Sequence, residues 1–348
     1  MKTRILFNEL VTRDGFQNEP MFVPTDTKVA LIDGLSRCGY AKIEVTSFTS
    51  PKAIPMLYDA QEVMARIERV PGVEYTALVP NVRGAERALE CHCDEINVVM
   101  SVSETHNQAN LRMPRDKSFA ALTDVIRLAG EHPSRTPVNV SLSTAFGCPM
   151  EGDIPEGEVL YWAERFAALG VRGLTVCDTT GMANPTQVAR MAEILQRRLP
   201  RLQLTMHFHD TRGMGLANVL VAVQQGIVRF DGSLGGLGGC PYAPGASGNI
   251  CSEDTIHMLM CMGHETGIDL DALLVLARGL PVVVSHVVPG HLIKAGRVDT
   301  RAGKGDSGPG PVRFCAGQAG VFNESAVAEV AAGFHGSPGP SSHLKEFS

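Results

Sequence analysis

Eight β-branched or apolar runs alternate with amphipathic stretches at a spacing of roughly thirty residues, which predicts an α/β protein made of repeated βα units on a parallel sheet. Eight units in about 270 residues select a (β/α)8 TIM barrel over a doubly wound sheet, which has fewer strands and a Gly-rich turn after its first. Polar residues also gather at the C-terminal ends of the runs, where a barrel builds its site. Strands are expected at 4–11, 40–48, 74–80, 95–103, 137–146, 172–179, 203–211 and 229–237. Clear helices are expected at 27–38, 58–69, 156–169 and 185–198. The last opens with Pro185, where a missing backbone N–H costs nothing. From about Leu270 the pattern turns helical again, predicting a C-terminal helical extension near the barrel mouth. Residues 1–298 thus form the barrel with its extension. Residues 299–348 form a Gly/Pro/Ser-rich tail of weak order, with room for a short helix over 324–333.

The chain has 348 residues, 44% of them hydrophobic and 20% charged, enough to bury a large core. Its net charge of −6 comes without a basic cluster, which argues against nucleic acid or an anionic membrane and for a small-molecule ligand. The nine cysteines are odd in number and scattered through apolar runs, as at Cys148, Cys177 and Cys261, which suits reduced thiols in the cytoplasm. Residues 1–11 are interrupted by Arg4, Asn8 and Glu9, unlike a signal peptide, and no apolar run reaches membrane-spanning length.

Arg13 and Asp14 follow the first strand, Glu44 and Ser47 end the second, Asp178 ends the sixth, and His207, His209 and Asp210 end the seventh. Such charges would waste stability unless they converged on a ligand. His207 and His209, two apart on a strand, face the same way into the barrel. Alone they could equally be a hydrogen-bonded pair. With Asp14 and the amide oxygen of Asn249 they become two nitrogens and two oxygens, a set that suits octahedral Mg²⁺ or Mn²⁺. Asp210 should point away, as a cap or a support for the ligands. After the last strand, Gly235, Gly236, Gly238 and Gly239 let Cys240 project toward a ligand while Pro241 and Pro244 restrain it; the plain alternative is a surface loop with an incidental thiol. Cys91, His92 and Cys93 lack zinc-finger spacing and read as a helix end. The GLGG of the loop follows the last strand and is no dinucleotide fingerprint. Met258, Met260 and Met262 read as helix and core residues.

The segments ELVTRDGFQNE (9–19), IEVTSFTSPKAIPML (43–57), HFHDTRG (207–213) and GGLGGCPYAPGASGN (235–249) together resemble the 3-hydroxy-3-methylglutaryl-CoA lyases of the DRE-TIM metallolyase superfamily. The likeness runs over residues 4 to 298 and is most specific in the cysteine loop. It implies that Asp14, His207, His209 and Asn249 bind a divalent cation, that Arg13 stabilises charge on substrate oxygen, and that Cys240 acts as acid or base. It places Gln17, Glu44 and Asp178 around the substrate hydroxyl. Ser47, Ser141 and Thr175 join Gln17 as substrate contacts. The implied reaction cleaves a 3-hydroxyacyl-CoA between C2 and C3 to acetyl-CoA and a keto acid such as acetoacetate, in a homo-oligomer, dimer or larger. Related aldolases or Claisen-type synthases share the RDG and HxH elements and form the alternative; a non-catalytic binding protein is the third reading. The sequence departs from the lyase pattern at Ser141, where the known lyases carry tyrosine, at Thr175 and Cys177, where they carry serine and glycine, and at Pro20, where many carry lysine. Losing an aromatic ring opens space beside the acyl group, so the expected substrate is bulkier or differently substituted at C3.

Overall fold

The computed structural model describes residues 3–239 and 248–297. Alternation along the strands decides which way each side chain faces. In β5 (Val138–Ser143), Val138, Val140 and Leu142 turn outward to the helices, while Asn139, Ser141 and Ser143 turn into the barrel. The same two-residue period runs through β1 (Leu6–Glu9), β2 (Lys42–Ser47), β3 (Glu74–Leu78), β4 (Glu95–Ser101), β6 (Gly173–Asp178), β7 (Gln203–Phe208) and β8 (Arg229–Gly232). All neighbours pair in parallel, and β8 pairs with β1 to close the barrel in chain order.

Barrel interiors are usually packed with branched aliphatic residues. This one is polar. Asn8, Lys42, Glu44, Thr76, Glu95, Asn97, Asn139, Thr175, Thr205 and Asp231 surround an internal cavity of about 20 Å³, room for about one water molecule. The apolar core is therefore the layer between the strands and the helices α1 (Thr25–Arg37), α2 (Ala60–Arg66), α3 (Val82–Glu90), α4 (Glu104–Leu111), α5 (Arg115–Glu131), α6 (Glu156–Ala168), α7 (Pro185–Arg198) and α8 (Gly215–Gln224). α7 begins at Pro185 as its sequence indicates. There Asn184 accepts from the Gln187 amide at 3.1 Å while Gln187 Oε1 accepts from the Asn184 amide, a reciprocal cap.

Several strands end earlier than their apolar runs. β1 stops at Glu9 because the Glu9 carboxylate takes the amides of Leu10 and Val11, and Val11–Gly15 then winds into a single π-helical turn. β8 stops at Gly232, and Leu234–Gly236 forms a 3₁₀ turn in which Gly235 and Gly236 adopt positive φ. α9 (Ser252–Cys261) follows β8 as the helix of the eighth unit, and beyond it α10 (Leu270–Val284) and α11 (Leu292–Ala295) form the helical extension expected from about Leu270. Leu280 of α10 and Val288 pack directly over Gly235, so the extension does reach the barrel mouth.

His92 ends α3 in the left-handed region and Cys93 is buried behind it, so this trio is a helix end. Met260 and Met262 are exposed, contrary to their reading as core, because Ile256 and Leu259 already occupy the buried face of α9. Cys261 is likewise exposed rather than set in an apolar run. The cysteines among the described residues are all free. Among those residues, no helix is long and apolar enough to cross a membrane. The tail 299–348, including 324–333, lies outside the described residues.

Candidate active site and metal centre

The π-helical turn after β1 brings Arg13 and Asp14 over the barrel mouth, both buried. Arg13 Nε donates to Glu44 Oε2 at 2.5 Å, and its Nη1 pairs with Asp14 Oδ1. Burial works against the guanidinium charge, but Asp14 and Glu44 outweigh it and hold the group more firmly protonated than usual. β7 delivers His207 and His209 to the same place, their rings 5.1 Å apart. Asn249 joins because residues 248–250 run antiparallel beside the end of β7: a β-bridge links Asn249 to His209, and Asp210 N donates to Gly248 O. Asn249 Nδ2 then donates to Asp14 Oδ2 at 2.7 Å and to Leu237 O at 3.0 Å.

Ligand atoms of Asp14, His207 and His209 all lie within 4.8 Å of one another. The protonation of Asp14 and of His209 suits coordination. Burial raises the Asp14 pKa, yet the charge of Arg13 above all brings it down to about 2, so it is a carboxylate. Burial and then the His207 charge depress His209 to about 3, leaving a neutral ring. Beside Asp14, Asn249 Oδ1 is buried without a partner among the described residues, although buried polar atoms seldom stay unsatisfied, and His209 turns its Nε2 toward Asp14 Oδ2 at 3.9 Å. The residues therefore fit a divalent cation.

Asp231 went unread in the sequence because it lies inside the last expected strand, 229–237, rather than at its end. It lies in register with His207, its Oδ2 stands 3.4 Å from His207 Nδ1, and Asn8 Nδ2 donates to its other oxygen at 2.7 Å. That contact directs the ring's other nitrogen toward Asp14. Burial opposes charge on His207, but Asp231 prevails and its pKa is raised. Asn97 was also missed. It donates to Glu44 Oε1 at 2.8 Å while its own oxygen accepts from Ser141 Oγ and Asn139 Nδ2, both at 3.0 Å, and Asn139 Nδ2 also reaches Thr175 Oγ1. Ser141 and Thr175 thus join the site through this chain of amides.

Gln17 Nε2 reaches Asp14 Oδ1 only at 3.5 Å. Asp178 caps the loop after β6, its Oδ1 accepting the amides of Met182 and Ala183, while Oδ2 is buried without a partner; burial pushes its pKa up to about 6. Ser47 is not drawn into the network, because its hydroxyl pairs with Thr49 at 2.7 Å. Asp210 turns away and accepts the Gly215 amide at the start of α8. Cys240 lies outside the described residues.

An arginine beside a buried ligand set at the mouth of a parallel barrel is the equipment of a lyase that gathers negative charge on oxygen. The HMGL-like family model matches residues 4–279, and the chain belongs to that family. It is 45% identical over 286 residues to a hydroxymethylglutaryl-CoA lyase of Bacillus subtilis, covering 82% of this chain and 95% of the relative. A solved HMG-CoA lyase from Acinetobacter baumannii in complex with coenzyme A and 3-methylmalate is 48% identical, with a TM-score of 0.81 over 88% of this chain and 98% of that one. The carboxyl transferase domain of Rhizobium etli pyruvate carboxylase, at 17% identity and a TM-score of 0.62, shares the fold alone. This protein is accordingly a carbon–carbon lyase that cleaves a 3-hydroxyacyl-CoA to acetyl-CoA and a keto acid.

Proposed function

We propose that this lyase depends on a divalent cation, Mg²⁺ or Mn²⁺, held by Asp14, His207, His209 and Asn249, and that its substrate differs from 3-hydroxy-3-methylglutaryl-CoA at C3. The observation that carries the reading is the buried carboxylate–imidazole cluster beside Arg13, with Asn249 Oδ1 unpartnered among the described residues. Bound there, the cation would supply a Lewis acid that acidifies the substrate hydroxyl and holds developing charge on oxygen.

The chain's own residues do the rest. Arg13, fixed by Glu44, stabilises negative charge on the reacting oxygens. Asp178, with a free buried oxygen and a pKa near neutrality, takes the hydroxyl proton. The C3–O bond becomes a carbonyl, the C2–C3 bond breaks, and its electron pair passes to the thioester as an enolate. Cys240 returns a proton to C2, releasing acetyl-CoA. Gln17 and Ser47 contact the substrate. The enzyme works as a cytoplasmic homo-oligomer.

On the β5–β6 side Ser141 faces the acyl group as a small side chain where the known lyases carry tyrosine, next to Thr175 and Cys177, which stand where they carry serine and glycine. The relative solved with 3-methylmalate, a branched hydroxy diacid one carbon shorter than hydroxymethylglutarate, supports a substrate of that broader class. A coupled assay of acyl-CoA release over a panel of 3-hydroxyacyl-CoA thioesters, with and without chelator, tests both parts. We expect a higher kcat/KM for a thioester other than 3-hydroxy-3-methylglutaryl-CoA, and loss of turnover on chelation that Mn²⁺ restores. A clear preference for 3-hydroxy-3-methylglutaryl-CoA overturns the substrate assignment, and full activity in chelator overturns the cation.

A further inference from the structure

Glu9 is a buried carboxylate, 0% exposed, that the reaction does not use. Its hydrogen-bond partners are backbone amides and hydroxyls. Five donors converge on it from four parts of the fold. Oε1 accepts the amides of Leu10 at 3.1 Å, Val11 at 3.0 Å and Leu234 at 2.8 Å, and Oε2 accepts the hydroxyls of Tyr40 and Ser252, both at 2.7 Å. Leu10 and Val11 open the turn that carries Arg13 and Asp14. Leu234 starts the segment whose Leu237 carbonyl holds Asn249, and Ser252 lies three residues beyond Asn249. Asp14 and Asn249 come from opposite ends of the barrel domain, so their meeting depends on whatever ties those two segments together.

We propose that Glu9 is a positioning residue, a clamp that sets the Arg13–Asp14 turn against residues 233–237 and 249–252 and so assembles the ligand set. The inference rests on the cation reading above. It acts through hydrogen-bond geometry, and this predicts a specific pattern of rescue. In Glu9→Gln, the amide oxygen can still accept the three backbone N–H groups, and the hydroxyls of Tyr40 and Ser252 can rotate to accept from the amide nitrogen. Glu9→Ala loses all five contacts. Ser252→Ala cuts the link toward Asn249 alone, whereas Tyr40→Phe cuts a contact that reaches neither ligand-bearing segment.

The test titrates Mn²⁺ into metal-free protein and follows bound ion by electron paramagnetic resonance, with far-UV circular dichroism and Tm recorded alongside. Glu9→Ala should weaken Mn²⁺ binding about 10- to 100-fold, the range typical of groups that orient metal ligands. Glu9→Gln should recover most of that loss, Ser252→Ala should weaken binding severalfold, and Tyr40→Phe should leave it within about twofold of wild type while lowering Tm. A folded Glu9→Ala protein with wild-type affinity overturns the clamp. So does a Glu9→Gln protein as impaired as Glu9→Ala, or equal loss in Ser252→Ala and Tyr40→Phe, a result that also decides the matter where Glu9→Ala does not fold. Wild-type protein that binds no Mn²⁺ instead overturns the cation reading beneath it.

Discussion

The two ends of the barrel are both crowded with charge, yet they are built in opposite ways. At the N-terminal face, Lys42, Glu74 and Glu95 open their strands and meet Arg172, which lies just before β6. Arg172 grips Glu74 in a two-pronged pair at 2.8 and 2.7 Å and reaches Glu95 Oε2 at 2.7 Å, while Lys42 pairs with Glu95 and stands 3.6 Å from Glu74. No atom of these four side chains is left buried without a partner. At the C-terminal mouth, by contrast, Asn249 Oδ1 and Asp178 Oδ2 are buried and unpartnered among the described residues. A charge cluster that satisfies itself holds a fold together. One that leaves lone pairs aimed inward awaits something to bind, since an unsatisfied buried polar group costs about 1–3 kcal/mol.

The contrast breaks first at the mouth. Asp14→Ala or His207→Ala should lower turnover roughly a thousandfold or more and weaken Mn²⁺ binding together with it, while Tm stays near wild type. Mn²⁺ titration of each variant checks this, and unchanged affinity in both counts against the ligand assignment. Arg13→Gln should cost about 10²- to 10³-fold in kcat with little change in KM, because the fixed charge is needed most as the oxygens gain charge. Steady-state kinetics showing a raised KM at normal kcat would make Arg13 an anchor only.

At the opposite face the expected damage is to stability. Glu95→Ala leaves Lys42 and Arg172 without their buried partner and should cost about 3–5 kcal/mol, read by chemical denaturation, with Mn²⁺ affinity unaltered. A loss of metal binding there would erase the distinction between the two ends. The smallest effect belongs to Glu253, which supports the mouth from outside the ligand set. Its Oε2 accepts the Gly235 amide at 3.0 Å, and burial pushes its pKa from 4.5 up to about 7. Because the folded value is raised, its stabilising contribution is complete below pH 4.5 and fades as pH climbs toward 7. The full swing is on the order of a few kcal/mol. Glu253→Gln should flatten the dependence of Tm on pH over that window, and an unchanged slope would rule the residue out as its source.

The barrel was legible because a two-residue period and a βα repeat are local signals. All eight strands lie within the expected runs, and His207 and His209 share a face for the same reason. The ends were less legible. Residue 10 looks as strand-like as residue 7, and only the Glu9 carboxylate, by capturing the next two amides, stops β1 where it does. Ser47, expected as a substrate contact, also pairs its hydroxyl with Thr49 in a local turn that no strand pattern foretells.

By itself, then, the sequence determined the fold, the inward face of each strand and the residue types that could hold a cation, because alternation of polar and apolar side chains acts between near neighbours. Which of those residues meet was decided only by closing the barrel. Asp231 reads as one residue inside the last strand until β8 lies beside β7 and sets it against His207. Asn249, grouped with Asp14 from residue type alone, reaches it because the chain returns along the end of β7. Glu9 reads as one more strand residue until four segments converge on its carboxylate. Such contacts join positions far apart in the chain, whose partners leave no mark on the local pattern, so tertiary packing alone gives these side chains their work.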